Sequence, residues 1–384
     1  MTNQGESCTR RRLLYFLNSL VVGGVERHVL DLIRRVNRDQ FDMRLVCPPT
    51  LAQHLRSDLN ELDVEIDEIE IRSWRQVGEI RRFKQLLRDW QPDIVHSHLY
   101  LASRYASPIA RLARVPGVLE TAHIEENWRI GWRKHLALLD GIASRFANEI
   151  IAVSHAVKRF YVEVKRVPAE KIVVVHNGID IARFDPDEAR DVGALRNGLG
   201  IGPDEKVACI VGRLDDQKGH RFLLEAGKAV FESVPNARFV FAGRGPLEDS
   251  LKKLASDLTI AERVVFAGFR SDVANIYALS DVVVLPSLFE GLPLTVAEAL
   301  AMRRPVVATS VSGTPEILLD GQTGFLVPSQ EPVPLAKALI SLLNNPELSR
   351  DFGQRGREHV CEHFSLKQQV EHTEDIYMQT LGAS

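Results

Sequence analysis

Residues 207–220 read VACIVGRLDDQKGH, an apolar run followed by a polar turn and the start of a segment with helical spacing. The apolar run predicts a strand that is buried on both faces, as the strands of parallel sheets are. Gly212 and Gly219 allow the backbone of the turn to approach other groups closely. A strand, a turn and a helix in succession form the repeating unit of a parallel α/β domain.

The same alternation of short apolar runs and helical segments continues in both directions. Toward the N-terminus the predicted strands are 13–17, 43–46, 94–96, 118–121 and 150–153, with helices at 25–36, 77–90 and 101–114. The second series comprises predicted strands 207–211, 238–241, 264–266, 282–285, 306–308 and 325–327. Each series predicts an open parallel sheet that is covered by helices on both faces.

The length of 384 residues exceeds the size at which one hydrophobic core usually keeps growing, so two domains are expected. The turn-rich run HNGID at 176–180 separates the two series of strands. We expect an N-terminal domain over 1–180, a C-terminal domain over 181–363, and a helix over 364–384 that crosses back to the N-terminal domain. Ligands of parallel sheets bind at the carboxyl ends of the strands, so the active site is expected in the cleft between the domains.

The composition is that of an ordinary globular protein, with 45% hydrophobic and 26% charged residues. A net charge of -3 argues against nucleic-acid binding. A small excess of basic residues over 1–180 suits a solvated surface, and it would also suit an anionic acceptor or a membrane face. The cysteines lie far apart without a C-x-x-C pair, so neither a zinc site nor a disulfide framework is predicted.

The run that follows Arg10, Arg11 and Arg12 has some character of a signal peptide. Asn18 and Ser19 interrupt its apolar part, and 13–17 is needed as the first strand, so we interpret it as a strand. No stretch of 18 apolar residues is present to span a bilayer. We therefore expect a cytoplasmic protein, with peripheral contact at the inner face of the membrane as the alternative.

The turn at 212–219 carries the first candidate site. It contains Arg213 and Lys218 between a strand and the N-terminus of a helix that begins near His220. Free N–H groups at a helix start, a guanidinium fork and an ammonium charge together favour binding of a phosphate group. The alternative is a surface turn with two solvated cations.

The stretch 287–298, SLFEGLPLTVAE, carries the second candidate site and follows the strand at 282–285. Pro293 fits the first turn of a helix, which places Glu290 on the loop before that helix and Glu298 inside it. Carboxylates accept hydrogen bonds from paired hydroxyls, as in a ribose or hexose ring. For either glutamate alone the alternative is a salt bridge or compensation of the helix dipole.

Together these motifs resemble the retaining glycosyltransferases of family 4, which have the two-domain GT-B fold, and the resemblance covers essentially the whole chain. The spacing of Glu290 and Glu298 resembles the E-x7-E motif of the family, and the run at 212–219 resembles its diphosphate-binding motif. Further stretches in the expected order are GGVE at 23–26, TAH at 121–123, VHNGID at 175–180 and SGTPE at 312–316.

The resemblance implies that Arg213 and Lys218 neutralise the leaving nucleoside diphosphate and that Glu298 holds the ribose hydroxyls. It implies that Glu290 positions the donor sugar near the reacting centre. Backbone and side-chain groups at the adjacent helix start complete the implied donor site: Gly291, Leu292, Leu294 and Thr295.

In the N-terminal domain the resemblance implies that His123 contacts the donor sugar and that the loop with Gly23 and Gly24 closes over phosphate or acceptor. A polar residue satisfied at a strand end and a simple tight turn are the alternatives for these positions. The implied activity is transfer of a sugar from a UDP- or GDP-sugar to a hydroxyl acceptor with retention, in polysaccharide, glycolipid or cell-envelope biosynthesis.

No cofactor and no metal are expected, because two cations and a helix dipole can stabilise the leaving diphosphate. The D-x-D run at 185–187 follows the linker and not a strand, so we interpret it as a surface turn. Arg244 departs from the family pattern, where many relatives have an acidic residue. It either shifts the donor preference or points to solvent.

The segment 128–134, WRIGWRK, mixes aromatic and basic residues just after His123. This mixture suits a membrane interface and a lipid-linked acceptor, and equally a partly buried helix with a charged outer face.

Other functions stay open. A sugar-nucleotide epimerase or hydrolase of similar fold would release nucleotide without an acceptor. A phosphorylase would need a pyridoxal lysine and usually a longer chain. A non-catalytic binding module would retain Arg213 and Lys218 yet tolerate loss of Glu290. A dinucleotide-binding protein is disfavoured, because the turn Gly243-x-Gly245 lacks the third glycine of that fingerprint.

Overall fold

A computed structural model of the chain describes residues 10–19, 24–126, 134–188 and 191–382. The chain divides into two compact units, Met1–His176 with Lys367–Ser384 and Asn177–Leu366. Each unit contains a parallel sheet with helices, so the parallel α/β architecture predicted from the alternation is confirmed.

In the first unit, sheet and helices alternate along the chain. Its strands are β1 (Arg11–Leu17), β2 (Phe41–Cys47), β3 (Glu65–Glu68), β4 (Ile94–His98), β5 (Gly117–Ala122), β6 (Glu149–Ala152) and β7 (Ile172–Val174). Its helices in the same stretch are α1 (Gly24–Arg35), α2 (Pro49–Glu61), α3 (Val77–Trp90), α4 (Tyr100–Leu112), α5 (Lys134–Ser144) and α6 (His155–Glu163).

The second unit repeats this plan. Its strands are β8 (Lys206–Val211), β9 (Ala237–Ala242), β10 (Val264–Gly268), β11 (Val282–Leu285), β12 (Val306–Thr309) and β13 (Gly324–Val327). Its helices are α7 (Val192–Gly198), α8 (His220–Ser233), α9 (Glu248–Asp257), α10 (Val273–Leu279), α11 (Leu294–Ala301), α12 (Thr314–Ile317), α13 (Pro332–Asn344) and α14 (Pro346–His363).

Among the described residues the first sheet has the order β3-β2-β1-β4-β5-β6-β7, and its neighbouring strands are parallel. The chain builds outward from β1 in one direction and from β4 in the other, so a crevice opens beyond the carboxyl ends of these two strands. The strands β3 and β7, which the apolar pattern did not predict, lie at the two edges. Edge strands are often short or charged, and β3 reads EIDE.

The second sheet, within the described residues, has the order β10-β9-β8-β11-β12-β13. Its direction of growth reverses between β8 and β11, which pair through Val282 with Ala208 and Val283 with Cys209. The turn after β8 and the loop after β11 therefore emerge side by side. These are the two stretches that the sequence singled out as candidate sites.

The last helix, α15 (Leu366–Gly382), packs on the first sheet. The hydroxyl of its Tyr377 lies 2.7 Å from Nδ1 of His96 on β4, and the Tyr377 ring meets the Phe41 ring edge-on. The part of α15 that contains Tyr377 thus packs on the core of the first unit. Over the described ranges, every helix is too short or too polar to cross a bilayer.

The D-x-D run predicted as a surface turn lies in the second unit, where Asp187 is exposed. Its carboxylate accepts hydrogen bonds from Arg303 at 2.7 and 2.9 Å, and these bonds lower the pKa of Asp187. Asp185 lies 3.5 Å from Arg357. The two carboxylates therefore hold arginine side chains of α14 and of the turn after α11.

Gly219 is the residue at which the turn after β8 approaches the loop after β11 most tightly. Its φ is +63°, and a Cβ at this position would lie 2.0 Å from the carbonyl oxygen of Pro286. Only glycine avoids both the strained backbone and this overlap.

We expect Gly219→Ala to destabilise the second unit by more than ~2 kcal/mol, because the left-handed backbone costs an alanine on the order of 1 kcal/mol and the overlap adds to it. Urea unfolding followed by circular dichroism measures the loss. Gly200→Ala is the matched control, since Gly200 has φ +67° with nothing within 4 Å. Equal losses in the two variants would show that the overlap with Pro286 is not what requires glycine.

Candidate functional site

The turn after β8 and the loop after β11 meet through an ion pair. Nζ of Lys218 donates to Oε1 of Glu290 at 2.7 Å, and both side chains are largely buried. The backbone reinforces the contact, since the Leu288 N–H donates to the Gln217 carbonyl at 2.8 Å. The two sequence motifs thus form one site, although Lys218 and Glu290 are 72 residues apart.

Arg213 lies on the same turn, and its guanidinium binds Asp215. Nε of Arg213 donates to Oδ2 of Asp215 at 2.6 Å, while 59% of the arginine side chain stays exposed. Oδ1 of Asp215 accepts from the Lys218 N–H at 3.3 Å. Asp215 therefore caps the short 3-10 turn Asp216–Lys218 and holds both predicted cations on one loop.

Glu290 is held from two further directions. Oγ of Ser287 donates to Oε1 of Glu290 at 2.6 Å, and the Glu290 N–H donates to Oγ of Ser312 at 3.1 Å. Ser312 has φ +47°, a strained backbone conformation for a serine. These contacts give the carboxylate of Glu290 one defined orientation in a partly buried site.

The helix α11 begins directly after this loop. The sequence predicted Pro293 in the first turn of this helix, but Pro293 is its N-cap. Leu294 and Thr295 are the first two residues of the helix. Gly291 and Leu292 are buried beside Glu290. Within the part of the chain that the structure describes, Oγ1 of Thr295 is buried without a hydrogen-bond partner. A buried hydroxyl of this kind can donate to a ligand.

Glu298 lies one turn further along α11. Its Oε2 accepts from the hydroxyl of Tyr277 on α10 at 2.8 Å, and its side chain is half-buried. The two predicted glutamates are bound by Tyr277, which contacts Glu298, and by Ser287 and Ser312, which contact Glu290. No role was predicted from the sequence for these three residues. Ser287 had a usable signal, since it stands at a strand end within the quoted motif. Tyr277 was hidden because its contact depends on the packing of two helices.

The turn after β9 packs against the turn after β8. The Leu214 N–H donates to the Arg244 carbonyl at 3.0 Å, and a Cβ on Gly243 would lie 1.8 Å from the Gly212 carbonyl oxygen. The side chain of Arg244 is exposed. The small size of Gly243 thus allows the turn after β9 to pack closely on the turn after β8.

In the first unit, His123 stands just after β5 and belongs to a buried histidine cluster. Its Nε2 lies 3.1 Å from Nδ1 of His98, the last residue of β4. The ring of His28 on α1 meets the His123 ring edge-on, with centroids 5.1 Å apart. Leu99, directly after His98, has φ +71°, so the backbone is strained at this strand end.

The histidine cluster is electrically neutral because it is buried. Burial lowers the pKa of His28 to about 4 and that of His96 to about 3, and it holds the pKa values of His98 and His123 well below the usual range. The sequence motifs pointed to His123 and not to His28 or His98. Both nitrogens of His96 have partners, Tyr377 and Thr121, each at 2.7 Å.

The chain that follows His123 is held by a buried ion pair. Nζ of Lys165 donates to Oε1 of Glu126 at 2.7 Å, and both side chains are inaccessible to solvent. The ammonium also lies 3.9 Å from the centroid of the Tyr161 ring, whose hydroxyl donates to Glu120. Burial raises the pKa of Glu120, and Lys165 opposes that rise. Removing one partner of a buried ion pair strongly lowers the free energy of unfolding, so this pair fixes the loop after β5.

Part of the predicted site lies outside the described residues. Gly23 and residues 128–133 are among these positions, and the roles expected of them stay predictions. Gly24 is the first residue of α1 and is exposed, and Lys134 is the first residue of α5. Arg213, Lys218, Glu290 and Glu298 belong to the second unit, while Gly24 and His123 belong to the first.

Comparison with known families gives two matches that together span most of the chain. The family model for Glycosyl transferases group 1 matches residues 191–359, and that for Glycosyltransferase Family 4 matches residues 22–183. The chain is 28% identical over 367 residues to the UDP-Gal:alpha-D-GlcNAc-diphosphoundecaprenol alpha-1,3-galactosyltransferase of Escherichia coli, covering 93% of this chain and 94% of that protein. It is 31% identical over 310 residues to EpsD, a candidate glycosyltransferase of Bacillus subtilis (strain 168), covering 77% of this chain and 79% of that protein.

Solved structures share the fold. HepE of Anabaena in complex with UDP superposes with a TM-score of 0.84 at 20% identity, covering 96% of this chain and 100% of that chain. WaaG, a glycosyltransferase involved in lipopolysaccharide biosynthesis, superposes with a TM-score of 0.73 at 17% identity, covering 95% and 99%. The GT-B fold class expected from the sequence is thereby confirmed.

We expect the first unit to lose stability as the pH falls from 6.5 toward 4. The unfolded chain then binds protons on histidines that the folded chain keeps neutral, because the folded pKa of His28 is about 4. For His28 alone the loss is about 1.4 kcal/mol per pH unit within this window.

Urea midpoints between pH 7 and pH 5 measure this dependence. His28→Asn should make it shallower, and His54→Asn, at an exposed position on α2, should leave it unchanged. A pH dependence that is the same in His28→Asn as in the wild type would contradict the assignment.

Proposed function

Since the chain belongs to the family 4 glycosyltransferases, we propose that it moves a sugar from a nucleoside-diphosphate sugar to a hydroxyl acceptor with retention of configuration. The observation that carries this proposal is the Lys218–Glu290 contact at 2.7 Å. It joins a turn suited to phosphate and a carboxylate suited to sugar hydroxyls at the point where the second sheet reverses direction.

The leaving diphosphate is the first group that this site must stabilise. Arg213 offers an exposed planar fork, Lys218 offers a point charge, and the start of α11 offers a helix N-terminus and the hydroxyl of Thr295. The two cations are bound by Asp215 and Glu290. Positive groups already in position stabilise developing negative charge without reorganising, which is the largest catalytic contribution in many enzymes.

The carboxylates are assigned to the hydroxyl groups of the donor. Glu290, with the backbone of Gly291 and Leu292, positions the sugar, and Glu298 accepts hydrogen bonds from the ribose. Lys218 and Ser287 fix the orientation of Glu290, so its free oxygen is presented in one direction. In the first unit, His123 is assigned the contact with the donor sugar near the reacting centre.

Names of similar proteins support a UDP-linked donor and a lipid-linked acceptor. The similar Escherichia coli enzyme is named for UDP-Gal and for a diphosphoundecaprenol acceptor, and HepE was solved with UDP. We therefore place a UDP-sugar ahead of a GDP-sugar as donor. Transfer of sugar to a lipid-linked acceptor would serve polysaccharide or cell-envelope biosynthesis.

A surface of the first unit supports contact with a membrane. Leu139 and Ile142 on α5 are each 55% exposed and lie one turn apart, and Phe146 after the helix is 38% exposed. Arg145 is exposed beside them. Apolar side chains with neighbouring cations suit the interface of an anionic bilayer. We propose that the protein works in the cytoplasm at the inner face of the membrane through this surface and the preceding segment 128–134.

Arg213→Ala and Lys218→Ala should each lower kcat/KM for sugar transfer by about tenfold or more, because each removes a charge that stabilises the leaving diphosphate. The donor is first identified by thermal stabilisation with UDP-, GDP- and ADP-sugars. Transfer is then measured as the release of the nucleoside diphosphate. Arg221→Ala is the control, since Arg221 is an exposed cation on α8 that pairs with Glu225.

Near-wild-type kinetics in both variants would contradict the site assignment. Nucleotide release that needs no acceptor would favour the epimerase or hydrolase alternative. Binding of the donor sugar that survives Glu290→Ala, with no transfer in the wild type, would favour a binding module.

The double variant Leu139→Asp, Ile142→Asp should lower binding to vesicles that contain anionic phospholipid by about tenfold, because it places charge where apolar side chains enter the interface. Sedimentation with vesicles measures the bound fraction. Val333→Asp is the control, since Val333 is 65% exposed on α13 of the other unit. Unchanged binding of the double variant would remove this surface from the proposal.

A further inference from the structure

The buried histidines of the first unit have the arrangement of a metal site. His28 on α1, His98 at the end of β4 and His123 after β5 each offer one imidazole nitrogen, and these three nitrogens lie within 4.8 Å of one another. We propose that a divalent transition-metal ion, with Zn²⁺ as the reference case, binds to His28, His98 and His123 and inhibits the enzyme. The inhibition rests on the proposed function, whereas the binding does not.

The spacing of the nitrogens fits an ion. Nδ1 of His98 and Nε2 of His123 are 3.1 Å apart. Two imidazole ligands at 2.0–2.1 Å from a tetrahedral Zn²⁺ are separated by about 3.3 Å, so an ion can replace the proton that these nitrogens share with little movement. The nitrogen of His28 lies within 4.8 Å of the other two, so the His28 side chain must move closer for all three to bind one ion.

The hydrogen bonds around the cluster separate it from other buried histidines. Both nitrogens of His96 are bound by Tyr377 and Thr121, so this neighbouring imidazole supports His98 without serving as a ligand. In contrast, Nε2 of His98 is buried without a partner among the described residues. Nδ1, the nitrogen that faces His123, is thus the ligand atom of His98, and Nε2 carries the proton of this ring when an ion is bound.

The chemistry of the three side chains selects the class of ion. Imidazole nitrogen suits Zn²⁺, Co²⁺, Ni²⁺ and Cu²⁺, whereas Mg²⁺ and Ca²⁺ prefer oxygen ligands. Three imidazoles leave a fourth tetrahedral position for water. An ion on Nε2 of His123 leaves the proton of the ring on Nδ1. Nδ1 then cannot accept a hydrogen bond from the donor sugar, so occupation of the site inhibits transfer.

Cobalt titration of the full-length protein tests the binding. Tetrahedral Co²⁺ absorbs far more strongly in the visible range than octahedral Co²⁺, and Zn²⁺ displaces it. The measurements use a His363→Asn background, because His359 and His363 lie one turn apart on α14 with ring centroids 5.1 Å apart and would offer two competing imidazole ligands.

We expect one intense tetrahedral band in the background protein, its loss in His28→Asn and in His98→Asn, and its retention in His220→Asn. His220 is the matched control, since it is a buried histidine in the second unit. Circular dichroism confirms folding, and His98→Gln replaces His98→Asn if the latter unfolds. The absence of an intense band, or a band that survives the cluster substitutions, would overturn the proposed site.

The inhibition is tested separately with Zn²⁺ at a concentration that saturates the cobalt site. Transfer by the background protein should fall by about tenfold or more and recover on chelation. His98→Asn should retain its own rate when Zn²⁺ is added. Equal inhibition of both proteins would overturn the inhibitory role. If no donor supports transfer, the proposed function fails while the cobalt result still decides the site.

Discussion

Parallel strands present their carboxyl ends at one edge of a sheet, and this constraint decides where every candidate site of the molecule lies. Each sheet grows outward from its first and fourth strands, β1 and β4 in one unit and β8 and β11 in the other. The segments that leave these strands cannot cover each other, so they form an open crevice. Lys218 and Glu290 meet at one such crevice, and His98 stands at the end of β4 in the other.

The two crevices differ in their electrostatics. In the second unit, cations are held by carboxylates and remain partly accessible, so they can be offered to an anionic ligand at small cost in reorganisation. In the first unit, burial removes charge from the imidazoles, which leaves a neutral polar cluster. A neutral cluster suits hydroxyl groups or a metal ion rather than phosphate. The charge distribution therefore favours an anionic ligand in the second unit and hydroxyl groups or a metal ion in the first.

Both crevices are held in shape by features that reduce the stability of the fold. The positive φ angles of Leu99 and Ser312 strain the backbone beside His98 and Glu290. Histidines that are buried in the neutral form lower the free energy of unfolding at low pH. Burial of the apolar strands of each sheet compensates for these local costs. Positive φ angles also occur at other described residues, such as Gln91 and Thr259, so this kind of strain is not confined to the candidate sites.

The sequence alone determined the positions of the inner strands and singled out residues 212–219 and 290–298, because apolar runs, glycine turns and motif spacing are local properties of the chain. Its resemblance to the family 4 glycosyltransferases implied the GT-B class. It did not predict the edge strands β3 and β7, whose short or charged sequences lack the inner-strand pattern. Only the tertiary structure decided that Lys218 binds Glu290, that Tyr277 holds Glu298, and that His28 and His98 join His123. These partners are far apart along the chain, and their proximity follows from strand order and helix packing, which no local pattern encodes.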